Sequence, residues 1–143
     1  MLRGNLRIEA TKSTPETELN RDGFIRIRGR SVFSDNDNYC CQVDKWVNEY
    51  LNSPADVTCI DFRFEYLPTS STKFYISLIQ KIVAVTLMKK QYLINWYYDE
   101  GDDDIHEKGE YISSILNIPV NFIRIADSGK PRKPETTGPT PNS

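Results

Sequence analysis

The feature that most constrains this chain is a change of period around Pro68. The run "VTCIDFRFEYL" (residues 57–67) is strand-like and stops at a proline, which lacks the N–H a sheet ladder needs. From about residue 70 to 88 the apolar residues Tyr75, Leu78, Ile79, Ile82, Val83 and Val85 recur at helical spacing. "YLINWYY" (92–98) then returns to strand. Strand, helix and strand in close succession require a crossover, so the sheet holds parallel pairs with helices packed on it.

The remaining elements fit that frame. "LRIEA" (6–10) alternates as a short strand, and "KSTPETELNRDG" reads as a polar connection. "FIRIRGR" (24–30) places Phe24 and Arg26 on one face, its register left open. The capping-rich "SDNDN" precedes a helix marked by Tyr39, Val43, Trp46, Val47, Tyr50 and Leu51. Tyr111, Ile112, Ile115 and Leu116 mark a shorter helix, and "VNFIRIA" (120–126) is the last strand. The runs 57–67 and 92–98 read as central strands buried on both faces. The order β-β-α-β-α-β-α-β predicts one α/β domain over 1–126: a mixed sheet of about five strands with three helices. Residues 127–143, rich in Pro and Thr, are expected to be a disordered tail.

Charge and composition narrow the function. A net charge of −2 gives a nucleic-acid partner no electrostatic support. The N-terminal stretch lacks a signal peptide's apolar core, and "KIVAVTLMKK" is too short to span a membrane, so a cytoplasmic location is expected. Cys40, Cys41 and Cys59 form no C-x-x-C pair and read as reduced structural thiols.

Catalysis finds few parts. His106 is the single histidine, and neither phosphate-cradling loops nor a nucleophile elbow occur. The carboxylates Asp99, Glu100, Asp102, Asp103, Asp104 and Glu107 do not match the twelve-residue calcium loop. They read as a solvated face that serves the following helix or docks a basic patch. No catalytic residue, metal or cofactor is expected.

Four hydroxyls, Thr69, Ser70, Ser71 and Thr72, follow Pro68. One of them, Thr69 or Ser70, would cap the helix, which leaves a surplus. A helix start also tolerates a phosphate well, so the cluster suits a modification site.

Four stretches carry a family resemblance: "ATKSTPE", "IRIRGRSVFSDN", "DFRFEYLPTSSTK" and "INWYYDEGDDDIHEKGEYI". In this order and spacing, over roughly residues 8 to 125, the chain resembles the SiaC family of bacterial regulatory phosphoproteins. The resemblance implies a STAS-like (anti-anti-sigma-like) α/β fold and a non-enzymatic role. It implies a phosphorylated threonine after the central strand, here Thr69, with Pro68, Ser70 and Ser71 as its neighbours. Pro68 stands where the family usually has asparagine. Ser70 and Ser71 are expected to hold the phosphate or cap the helix. The implied partners are a cognate kinase, a PP2C-type phosphatase and a GGDEF-type diguanylate cyclase, which the unphosphorylated form binds and stimulates in c-di-GMP signalling. The docking surface is expected at Tyr66, Lys73, Asp99, Glu100, Asp102 and Asp103. Two alternatives stay open: an anti-anti-sigma-like protein binding an anti-sigma kinase, and a small metal-dependent enzyme using the acidic loop.

Overall fold

A computed structural model describes residues 4–33 and 38–126. The expected tail at 127–143 and most of the "SDNDN" cluster lie outside the described residues. The strands are β1 (Leu6–Ile8), β2 (Glu16–Asn20), β3 (Phe24–Arg30), β4 (Val57–Tyr66), β5 (Gln91–Asp99) and β6 (Asn121–Ile125). The helices are α1 (Asn38–Tyr50), α2 (Thr69–Val83) and α3 (Asp103–Leu116), with a 3-10 helix at Ala84–Met88 closing α2. The six strands lie in sequence order in one sheet. β1, β2 and β3 pair antiparallel, and β3 through β6 pair parallel.

This is the mixed α/β architecture that the element order predicted, with one more strand. β2 was expected as polar connection because "ETELN" offers a single apolar residue. It is nevertheless a strand, since its inward residues Thr17 and Leu19 are both buried. The Thr17 hydroxyl is satisfied by the carbonyl of Pro15 at 3.2 Å and by the Tyr39 hydroxyl at 2.8 Å. A bonded threonine thus fills a place that hydropathy reads as solvent.

Two rows of side chains build the inner face. Leu19, Ile25, Ile60 and Ile94 are in register across β2 to β5, as are Thr17, Ile27, Phe62, Trp96 and Phe122 across β2 to β6. All three helices pack on this one face. Tyr50 of α1 meets Thr58 at 2.7 Å, and Tyr75 of α2 stands edge-on to Phe62. The carbonyl of Ile105 in α3 accepts from Trp96 Nε1 at 2.9 Å.

The opposite face is uncovered by described residues, so β4 and β5 are not buried on both faces as their runs suggested. Asp61, Arg63 and Asn95 alternate with the inward residues and face out. Their row continues as Glu18, Arg26, Asp61, Asn95 and Asn121 across five strands. Arg7–Glu18, Arg26–Glu18, Arg28–Glu16 and Arg63–Asp99 ion pairs lace it. Such exposed pairs contribute little stability but keep the face soluble.

A buried hydroxyl layer sits between α1, α2 and the sheet. Ser31 Oγ lies 2.6 Å from the Tyr75 hydroxyl, and burial pushes Tyr39 up to about 12 and Tyr75 well above the usual tyrosine range. Both folded values exceed the unfolded value near 10. The stability they provide is therefore whole below about pH 10 and falls as pH rises toward 12. Urea unfolding of wild type should weaken over that interval, Tyr39 alone accounting for about 2 to 3 kcal/mol. Tyr39→Phe should start about 1 kcal/mol lower at pH 8 and decline less steeply above pH 10. Parallel declines would refute this assignment.

Candidate functional site

The carboxyl ends of β4 and β5 lie side by side, so the starts of α2 and α3 emerge at one edge of the sheet. At the first junction Leu67 is fully buried and Pro68 is extended (φ −71°, ψ 158°). Helix α2 begins directly at Thr69, so Pro68 holds the cap position and no side chain caps the helix. This corrects the expected hydroxyl cap at Thr69 or Ser70. All four hydroxyls stand inside the first helical turn, past the place where a side chain accepts the free N–H groups.

The four hydroxyls divide by helical period. Tyr75, Leu78, Ile79 and Ile82 form the buried stripe, and three or four residues before Tyr75 fall Thr72 and Ser71. Ser71 is 0% and Thr72 2% exposed. Ser71 Oγ donates to the carbonyl of Phe33 at 3.3 Å and Thr72 Oγ1 to that of Pro68 at 3.2 Å. Ser71 therefore neither caps the helix nor faces a phosphate; its hydroxyl is spent inside, contrary to expectation. Thr69 and Ser70 are exposed, and no described residue engages their hydroxyls. Running the apolar period backward from Tyr75 would have separated these pairs in the sequence.

Cations border this edge. Lys73 is exposed and lies one helical turn after Thr69, on the same side. Tyr66 is 43% exposed, with the Arg30 guanidinium 5.3 Å from its ring centre. Lys108, which no sequence pattern singled out, reaches across from α3: its Nζ donates to the carbonyl of Leu67 at 2.8 Å. It also faces both carboxylate oxygens of Asp104, at 3.2 and 3.3 Å.

The acidic stretch is not one loop. Asp99 ends β5 and pairs with Arg63 at 3.5 Å on the uncovered face. The Glu100 N–H donates to the Ile125 carbonyl at 2.8 Å, and Gly101 turns the chain with φ +90°. Asp102 caps α3, its carboxylate accepting from the Ile105 N–H at 3.1 Å, and Asp103 and Asp104 occupy the first turn. Two expected docking carboxylates are thus partly committed to structure, whereas Asp103 is exposed. His106 belongs to α3 rather than a loop: it stacks on Tyr98 at 4.3 Å and stands edge-on to Phe122 at 5.4 Å. Among the described residues, no three His, Cys, Asp or Glu side chains converge as a metal ion would require.

Fold and edge together define a class: a one-sided α/β domain that presents hydroxyls, an aromatic ring and paired charges at two neighbouring helix starts, a surface suited to docking. The family model of SiaC family regulatory phosphoproteins matches residues 8–125, and the chain belongs to that family. As a member it is a regulatory protein rather than a catalyst. It is 24% identical over 116 residues to an uncharacterized protein of Pseudomonas aeruginosa strain UCBPP-PA14, covering 80% of this chain and 92% of the relative. The solved structure of SiaC of Pseudomonas aeruginosa superposes with a TM-score of 0.71 at 23% identity, over 87% of this chain and 99% of that one. SiaC in the crystal structure of the Pseudomonas aeruginosa diguanylate cyclase SiaD in complex with its activator SiaC gives 0.71 at 24% identity, over 85% and 98%. These similarities establish the shared fold. No helix among the described residues is long and apolar enough to cross a membrane.

Proposed function

We propose that residues 1–126 form the switch component of a cytoplasmic partner-switching circuit. The unphosphorylated form binds and stimulates a GGDEF-type diguanylate cyclase. A cognate kinase phosphorylates Thr69, and a PP2C-type phosphatase restores the active form. The observation that carries this reading is the division of the hydroxyls: Thr69 is exposed at the helix start and no described residue engages its hydroxyl, while Ser71 and Thr72 are sealed in the core. A kinase reaches Thr69 without unwinding the helix. The SiaC that is the activator of SiaD supports a cyclase as the partner. Tyr66, Lys73, Glu100 and Asp103 are the exposed members of the expected docking set.

Intact-mass measurement after co-expression with the kinase, followed by site mapping, tests the reading. One phosphate on Thr69, absent in Thr69→Ala and removed by the phosphatase, is the expected result. A phosphate placed only on Ser70, or an unmodified chain beside an active kinase, overturns it. Capturing a sigma-regulating kinase instead of a cyclase from the native host would favour the anti-anti-sigma alternative.

A further inference from the structure

We propose that Lys108 is the receiving cation for the phosphoryl group on Thr69, so that a modification at the start of α2 is read directly by α3. The inference rests on Thr69 being the modified residue and adds the group that senses it. Lys108 is already placed for the task. Its side chain is only 19% exposed, and its ammonium is held on the carbonyl of Leu67, two residues before Thr69. Two residues of chain span at most about 7 Å, so the ammonium lies within roughly 12 Å of the Thr69 backbone, a gap that rotation of the long lysine stem and the reach of a phosphorylated threonine side chain can close.

The exchange of partners favours the phosphate. At present the ammonium bonds a neutral carbonyl and a carboxylate, and that carboxylate, Asp104, is 63% exposed, which weakens the pair by solvent screening. A phosphomonoester brings −1.5 to −2 charges and three strong acceptors. An ammonium has three donors, so it can keep the Leu67 carbonyl while it exchanges Asp104 for the phosphate. Lys73 is the competing cation on α2, and Arg30 lies over Tyr66 at the same edge. Lys73 is exposed and would lose more side-chain freedom on binding, whereas much of that cost is already met at Lys108.

The consequence reaches the second helix. Asp104 loses its cation, and the first turn of α3, with Asp103 beside it, becomes more negative. One phosphate then alters both helix starts at this edge.

The test uses the full chain with phosphothreonine genetically encoded at position 69, so that no kinase is involved, and follows the second ionisation of the phosphate by phosphorus NMR. A nearby cation favours the dianion. The wild-type phosphate should titrate about half a pH unit or more below that of Lys108→Met, with Lys73→Met between them. Asp104→Asn, which frees the lysine and removes a repelling charge, should titrate below wild type. A folded Lys108→Met that titrates together with wild type overturns the proposal. Should that variant not fold, an unshifted Asp104→Asn overturns it equally. Kinase mapping to another residue would sink the functional reading and leave this titration standing, so the two failures are separable.

Discussion

Phosphorylation of Thr69 is expected to weaken cyclase binding by about 30-fold or more, while Thr69→Ala leaves the affinity of the unmodified protein nearly unchanged. The asymmetry follows from where the hydroxyl sits. Thr69 is exposed and its hydroxyl engages no described residue, so its removal breaks no internal bond. Exposed substitutions of that kind stay within about 0.5 kcal/mol. A phosphate in a docking interface is different. A charge left uncompensated at a buried contact costs about 2 to 5 kcal/mol, and each 1.4 kcal/mol is a factor of ten. Thr69→Glu should fall between the two, because one carboxylate carries about half the charge and lacks the tetrahedral acceptors. Calorimetric titration of the cyclase with unmodified, stoichiometrically phosphorylated and Thr69→Ala protein measures all three effects. Equal affinity for the phosphorylated and unmodified forms would refute the switch.

The second large effect concerns Gly109→Ala. On helix propensity alone alanine would stabilise α3 by about 1 kcal/mol. The packing reverses the sign. Gly109 is buried against the indole of Trp96, and a Cβ there would lie 2.6 Å from Nε1 and 2.7 Å from Cδ1 and Cε2. These are atoms of a rigid ring that is 1% exposed and tied to the Ile105 carbonyl. The ring has nowhere to retreat, so α3 must lift from the sheet. Overpacking of this kind costs about 1 to 3 kcal/mol, occasionally more. Set against the propensity gain, the upper figure leaves a net loss of about 2 kcal/mol and a melting temperature lower by about 5 to 8 °C. Since Lys108 is the adjacent residue, the lift also draws its ammonium from Leu67. Thermal denaturation followed by circular dichroism checks the first consequence, and a melting temperature at or above wild type would contradict the packing.

The same contact shows why only part of the fold was legible beforehand. Tyr75, Leu78, Ile79 and Ile82 announced α2 because helical periodicity is local information. The period was also sufficient to place Ser71 and Thr72 inside, had it been extended to polar residues. β2 escaped because Thr17 is buried by a hydrogen bond to Tyr39, 22 residues away, and hydropathy carries no record of such a partner. The runs of β4 and β5 looked buried on both faces because Cys59, Leu93 and Tyr97 stand among their outward residues. Those residues in fact share that face with Asp61, Arg63 and Asn95, in a sheet covered on one side.

By itself, then, the chain of residues determined the kinds and order of the elements other than β2, the family, and Thr69 as the expected modification site, because propensity, period and motif all act within a few residues of one another. Only the tertiary structure decided which sheet face is covered, that the Ser71 hydroxyl is spent on the carbonyl of Phe33, and that Lys108 sits on the carbonyl of Leu67. That last contact joins residues 41 apart in sequence. It exists because β4 and β5 pair in parallel and deliver two helix starts to one edge, an arrangement set by long-range strand pairing and invisible to any local pattern.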